Sequence, residues 1–145
     1  MTTTKPDCVF CGIGAGQIPS SKIYEDDRCL AFLDINPLAE GHVLLIPKKH
    51  AETIDRMDPD DVAALARLFG PLAKAVQEGV GVAGLNILQN NGPCSGQAVF
   101  HVHFHFIPRV PGDNLGYRWP AGSYKEGRMQ EVHQNILKAL KVPRD

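Results

Sequence analysis

Residues 101–107 read His101-Val102-His103-Phe104-His105-Phe106-Ile107, and this alternation leaves few ways to fold. In an extended strand, successive side chains point to opposite faces and the rise is about 3.4 Å per residue. Three imidazoles then line one face at intervals of about 7 Å, while Val102, Phe104 and Phe106 enter a core on the other. A helix would scatter them. Each buried imidazole must find hydrogen-bond partners or lose the hydration of its ring nitrogens. Three aligned on an apolar strand therefore point to a functional site.

Two chemistries suit that geometry. His-x-His on a strand can supply ligands to a catalytic metal, as in three-histidine zinc sites. Alternatively, one imidazole is a nucleophile and its neighbours position a phosphate. With an unperturbed pKa of about 6.5, imidazole offers a free lone pair at neutral pH. Spacing alone does not choose between them. Just upstream, Asn90-Asn91-Gly92-Pro93-Cys94-Ser95-Gly96-Gln97-Ala98 can aim backbone N–H groups at phosphate oxygens. Taken alone, the same loop reads as a turn.

The rest of the chain supplies a frame for that strand. Residues 22–25 and 29–33 are short, apolar and separated by Asp26-Asp27, which predicts a hairpin. Residues 42–46 form a continuous apolar run closed by Pro47, a predicted central strand. Asp58-Pro59-Asp60-Asp61 opens a helix, with Asp58 as N-cap and the acids opposing the helix dipole. Val62, Leu65, Phe69, Leu72 and Val76 continue it, and Pro71 predicts a kink or restart. Residues 85–89 and 99–107 are further predicted strands, and 127–141 a terminal helix. Residues 12–19 are too glycine-rich for more than a turn or short helical piece, and 111–124 reads as irregular. The fold class is α+β: an antiparallel sheet carrying the histidine strand, one long helix and a C-terminal helix.

Length and charge narrow the function. A chain of 145 residues is one domain's worth and needs no disulfide or metal merely to fold. Fifteen Lys+Arg against sixteen Asp+Glu give a net charge of −1, which disfavours a nucleic-acid-binding surface. Residues 109–145 hold seven basic and four acidic residues, a modest excess that reads equally as anion binding or a solvated helix face. No apolar run approaches the roughly 20 residues of a membrane span. The opening Met-Thr-Thr-Thr-Lys-Pro-Asp lacks the apolar core of a signal peptide, and four unevenly placed cysteines do not make a secreted disulfide framework. A cytoplasmic location is expected.

His101-Val-His-Phe-His-Phe-Ile fits the His-φ-His-φ-His-φ-φ pattern, φ being apolar, of the histidine triad superfamily of nucleotide hydrolases and transferases. The chain also resembles that family in Cys-Val-Phe-Cys at 8–11, in residues 24–37, in Gly41-His42, in Ile46-Pro47-Lys-Lys-His50 and in residues 90–108. The pattern is most similar to the Hint-like bacterial branch, while the Asn-Gly-Pro loop and Pro108-Arg109 also resemble the fragile-histidine-triad branch. The resemblance implies a single domain over 1–145 with its core at about 8–110 and a C-terminal extension at 111–145.

The resemblance also implies a chemistry and a cast of residues. His103 is the nucleophile that takes AMP from an adenylylated substrate, an AMP-amine or a dinucleoside polyphosphate, before water releases AMP. His105 contacts the phosphate, and His42 supports the triad by hydrogen bonding. Gln97, the backbone around Gly96 and Ala98, and Asn90 lie at the phosphate. Asp34 binds the ribose hydroxyls, although it also reads as a turn aspartate before Asn36-Pro37, and Ile35 neighbours the base. Ala98 departs from the hydroxyl residue that Hint-type phosphoramidases often carry there, and Ser95 is a candidate substitute. A homodimer is implied.

Cys8-x-x-Cys11 has metal-ligand spacing without a second pair. In some histidine triad relatives and in the related galactose-1-phosphate uridylyltransferases, this pair binds structural zinc with two histidines, and the matching residues are His50 and His101. Such a Cys₂His₂ set has no open position and is structural. Cys29 and Cys94 read as inert, His133 has no assigned role, and Trp119 reads as a packing aromatic or a lid over the site. Two other readings stay open: a metal-dependent enzyme using all three triad histidines, and a nucleotide-binding regulatory protein with little turnover.

Overall fold

The computed structural model describes residues 4–116 and 120–142. The chain divides into two compact units, Met1–Asn114 and Leu115–Asp145. The first holds a five-stranded antiparallel sheet of β1 (Lys22–Glu25), β2 (Cys29–Leu33), β3 (Val43–Pro47), β4 (Gly84–Gln89) and β5 (Phe104–Arg109), in the order β1-β2-β3-β5-β4. It also holds three helices, α1 (Val9–Gly14), α2 (Pro59–Ala66) and α3 (Phe69–Val80).

The hairpin joining β1 and β2 turns on Asp26, whose Oδ1 accepts from the N–H groups of Arg28 and Cys29 at 2.8 and 2.7 Å. Asp58 caps α2 by accepting from Asp60 N–H at 2.9 Å, with Pro59 in the first turn. The predicted long helix is bent: α2 ends at Ala66 and α3 restarts at Phe69. Pro71 is the reason. Its ring would meet the carbonyl four residues back in a continuous helix, whereas in a first turn its missing N–H costs nothing.

Alternation within the strands builds two cores. Cys29, Ala31, Val43, Leu45, Phe104 and Phe106 pack with Val102 against Leu65 of α2 and Leu72 and Val76 of α3. Leu30, Phe32, Leu44 and Ile46 face the other way, against Phe10 and Ile13 of α1. Because both faces of β2 and β3 are covered, these strands read as unbroken apolar runs. Phe69 of α3 stacks on Phe104 and Phe106 with ring centroids at 4.7 and 6.1 Å. With those phenyl rings held on the helix side, the intervening histidine is turned toward α1.

The histidine strand is shorter at its start than predicted. Regular pairing begins at Phe104, opposite Leu45, and runs on through Pro108 and Arg109. Pairing with β3 stops there because Pro47 lacks an N–H to donate. Val102 instead donates its N–H to Ala51 O at 2.8 Å. A helix also forms over Val9–Gly14, earlier than the turn or helical piece predicted at 12–19, through burial of Phe10, Cys11 and Ile13.

Gly41 places His42. Its φ is +89°, and a Cβ there would lie 2.3 Å from Val80 Cγ2, so only glycine serves. In the second unit, α4 (Arg128–Ala139) starts from Gly127 at φ +74° and carries His133. Among the described residues, no helix is long and apolar enough to cross a membrane.

Candidate active site

The geometry assigns opposite roles to His103 and His105 through their hydrogen bonds. A carbonyl oxygen only accepts, so His103 donates its Nδ1–H to His101 O at 2.7 Å. In the neutral ring the lone pair is then on Nε2. His105 is fixed by a chain that starts on the backbone. Leu38 N–H donates to His42 Nδ1 at 3.1 Å, so a neutral His42 carries its proton on Nε2. That Nε2–H donates to His105 Nδ1 at 2.9 Å, which leaves the proton of a neutral His105 on Nε2. The two rings lie edge to face with centroids 4.8 Å apart. One presents a lone pair and the other an N–H.

Burial keeps these rings neutral. Desolvation lowers the pKa of His103 and of His42. In His105 desolvation, with His103 and His42 nearby, brings it down to about 4. Among the described residues, Asp34 is the carboxylate against this group, with Oδ2 at 3.8 Å from His42 Nε2. Its other oxygen accepts from Asn36 N–H at 2.9 Å. Asp34 is therefore a turn aspartate and a cleft residue at once.

His103 and His105 line a cleft of about 400 Å³. Its walls are largely apolar: Val9, Phe10 and Ile13 of α1, Ile18, Phe32, Leu44 and the 90%-exposed Ile35. Asp34, Ala98 and Ser20 also line it. An apolar slot with a few convergent polar groups suits a flat heterocycle carrying a polar tail.

Next along the triad, at His101, Cys8, Cys11, His50 and His101 bring four ligand atoms within 4.8 Å of one another. His101 donates its Nε2–H to Pro47 O at 2.7 Å, which turns the lone pair of Nδ1 inward. That Nδ1 lies 3.4 Å from Cys8 Sγ, 3.6 Å from Cys11 Sγ and 3.2 Å from His50 Nδ1. His50 Nδ1 is 3.4 Å from Cys11 Sγ. Tetrahedral bonds of about 2.3 Å to sulfur and about 2.05 Å to nitrogen imply ligand separations of about 3.3–3.8 Å. The three sulfur-to-nitrogen separations fall in that range and the nitrogen pair lies just below it, so the cluster is compatible with metal coordination. Backbone N–H groups of Lys5 and Cys11 point at Cys11 and Cys8 sulfurs, at 3.3 and 3.4 Å, as outer partners of thiolates do. Burial pushes the Cys11 thiol up, so a thiolate there calls for a cation beside it.

The second close group, Asp34, His42 and His105, lacks that character. A metal on His42 Nε2 would need the proton moved to Nδ1, against the N–H of Leu38. The triad histidines therefore do not converge on one ion, since His101 belongs to the cysteine cluster.

The loop before the triad is internally bonded. Gln97 is 5% exposed, and its carboxamide donates to Glu52 O at 2.6 Å and Val99 O at 3.1 Å while accepting from Gly92 N–H at 2.7 Å. Its side chain thus holds the loop to the segment before α2 and does not line the cleft. Asn90 lies beside Gly96, whose φ is +95°. Ser95 Oγ donates within the loop, to Asn91 O and Gly92 O at 2.9 and 2.8 Å. Ala98 reaches the cleft. Trp119 lies outside the described residues.

Phe10 was not singled out by sequence reasoning. It meets His103, Phe32 and His101 edge to face at 5.1, 5.7 and 5.9 Å. Its position inside Cys8-x-x-Cys11 was the available signal, because a residue between two ligands must lie close to whatever the other ligands adjoin.

Comparison with known proteins agrees with this geometry. The family model described as HIT domain matches residues 15–112. The chain is 42% identical over 137 residues to Protein hit of Bacillus subtilis, covering 92% of this chain and 94% of that one. It is 45% identical over 114 residues to adenylylsulfatase HINT3 of Arabidopsis thaliana, covering 79% of this chain but 58% of the relative. Adenosine 5′-monophosphoramidase HNT1 of Candida albicans is 37% identical over 141 residues, covering 92% and 91%. Among solved structures, SMU.412c of Streptococcus mutans superposes with a TM-score of 0.91 at 39% identity, covering 97% and 90%. A zinc-bound histidine triad family protein of Mycobacterium smegmatis does so at 0.71 and 38%, covering 92% and 96%.

Proposed function

The chain belongs to the HIT domain family, and from that premise we propose that it hydrolyses or transfers at the α-phosphate of adenylylated substrates through an AMP–histidine intermediate. The observation that carries this reading is the pair of opposed tautomers, a lone pair on His103 Nε2 beside an N–H on His105 Nε2. Nucleophile and oxyanion donor are what displacement at phosphorus requires. The adenylylsulfatase and monophosphoramidase relatives support AMP conjugates as the substrate class.

The His103 Nε2 lone pair forms a bond to the α-phosphorus as the bond to the leaving group breaks, its electron pair departing with that group. His105 Nε2–H donates to a non-bridging oxygen as charge gathers there, held in line by His42. Backbone N–H groups around Gly96 and Ala98, with Asn90, complete the phosphate contacts, and Gln97 holds their loop. Water then attacks phosphorus, the P–N bond breaks with its pair returning to Nε2, and a proton leaves with AMP. Asp34 accepts from the ribose hydroxyls, and Ile35, Phe10, Ile13 and Phe32 enclose the base.

Cys8, Cys11, His50 and His101 would hold zinc, which supplies a structural cross-link between α1 and the segments flanking β3 and β5. This reading extends to a cytoplasmic homodimer without a nucleic-acid partner. Replacing His103 with Ala abolishes turnover while AMP binding persists. Near-normal turnover in that variant contradicts the assignment, and tight AMP binding with negligible turnover in the unaltered protein would favour a regulatory role.

A further inference from the structure

Among the described residues that line the cleft, Ser20 is the one with a hydroxyl, and its Oγ is buried with no hydrogen-bond partner. Ser95 differs, since its hydroxyl donates to two carbonyls of its own loop. A buried hydroxyl without a partner forfeits its hydration and gains nothing in return. Ser20 Oγ therefore has both a donor and an acceptor to offer. Turning χ1 from one staggered position to another breaks no hydrogen bond.

Strand register decides what stands across from it. Lys22 and Phe32 are Cα partners in the β1–β2 pair, and one position further Leu33 N–H donates to Ser21 O at 3.0 Å. The same register sets Ser20 opposite Asp34. Directly opposed residues of an antiparallel pair share a face, with Cβ atoms about 4.5–5.5 Å apart, and both of these line the cleft. No hydrogen bond joins them. Asp34 Oδ1 accepts from Asn36 N–H at 2.9 Å, and Oδ2 lies 3.8 Å from His42 Nε2. A carboxylate only accepts, so the pair presents an acceptor with an unused donor facing it.

We propose that Ser20 and Asp34 clamp one ribose hydroxyl between them, the hydroxyl donating to the Asp34 carboxylate and accepting from Ser20 Oγ–H. The inference rests on the reading above that places the ribose at Asp34. A hydroxyl matches both sides, because it has one proton to give and two lone pairs to receive. Asp34 alone would leave those lone pairs unpaired in a largely apolar cleft, a loss that the Ser20 proton removes. Ser20 is then a specificity residue, selecting ribonucleotides over nucleotides that lack this hydroxyl.

The test is calorimetry of the full chain with AMP, 2′-deoxy-AMP and 3′-deoxy-AMP, on the unaltered protein, S20A and D34N. S20A should weaken AMP binding by about 3- to 10-fold, the worth of one hydrogen bond. That loss should vanish with at least one of the two deoxynucleotides. Because S20A removes a buried polar atom that has no partner, the free variant should melt at or above the temperature of the unaltered protein. With D34N weakening AMP, three results overturn the inference alone: unchanged AMP affinity in S20A, an equal loss on all three ligands (a contact to base or phosphate), or a lower melting temperature. No AMP binding by the unaltered protein, or full AMP affinity in D34N, overturns the placement of the ribose and this inference with it.

Discussion

His42 Nε2 lies 2.9 Å from His105 Nδ1, and Leu38 N–H behind it decides which nitrogen of each ring carries the proton. A backbone amide cannot reverse its polarity, so the direction of the relay is fixed by the fold. Replacing His42 with Leu removes the acceptor for Leu38 and the donor for His105. Turnover should fall by about 10- to 100-fold, of the order lost with outer-shell partners of a working histidine. Nitrogen-15 NMR should show His105 no longer confined to the Nε2–H tautomer. An unchanged tautomer with unchanged turnover would show that His42 only fills space.

The acid limb should lie low. Burial lowers the pKa of His42 and brings that of His105 down to about 4, below the unfolded value of about 6.5. Between those values the unfolded chain binds more protons than the folded one, so stability rises with pH through this window and is lost as pH falls. Melting temperature should decline from about pH 6.5 toward pH 4, and replacement of His105 by Asn should flatten that decline. An equally steep decline in the variant would assign it elsewhere.

Cation removal should act on the cleft as well as on stability. α1 spans six residues, too few to hold a helix by itself, yet it carries Phe10 and Cys11 and is capped by Cys8. One zinc per chain is expected by elemental analysis, and none in a Cys11→Ser variant. Stripping the ion should lower both melting temperature and AMP affinity measured by calorimetry. Full AMP affinity in the stripped protein would contradict the coupling of cluster to cleft wall.

Gly41→Ala should destabilise by about 2–4 kcal/mol, combining a strained positive φ with overpacking. Its Cβ would meet Val80 Cγ2 at 2.3 Å. Urea unfolding checks the value, and a loss below about 0.5 kcal/mol would mean that the turn before His42 relaxes freely.

Local patterns made much of this legible in the sequence. Alternation placed Val102, Phe104 and Phe106 in one core. Asp58-Pro59 marked the helix start and Pro71 its interruption, and Cys8-x-x-Cys11 had metal-ligand spacing, whereas His50 and His101 came from the family resemblance. Features set by distant partners were not legible. The strand begins at Phe104 because of a proline on the neighbouring strand, Pro47. Gln97 turns inward because Glu52 O, 45 residues away, accepts from it. The tautomers of His103 and His105 depend on His101 O and on Leu38 N–H, and no residue pattern encodes a direction of hydrogen bonding.

The most direct measurement is a rapid alkaline quench of the protein during turnover of an AMP conjugate, followed by peptide mass spectrometry across residues 101–107. The prediction is one added AMP on His103, absent in His103→Ala. AMP accumulating with no protein-bound phosphorus, or the adduct on His105, would contradict the assignment of His103 Nε2 as nucleophile.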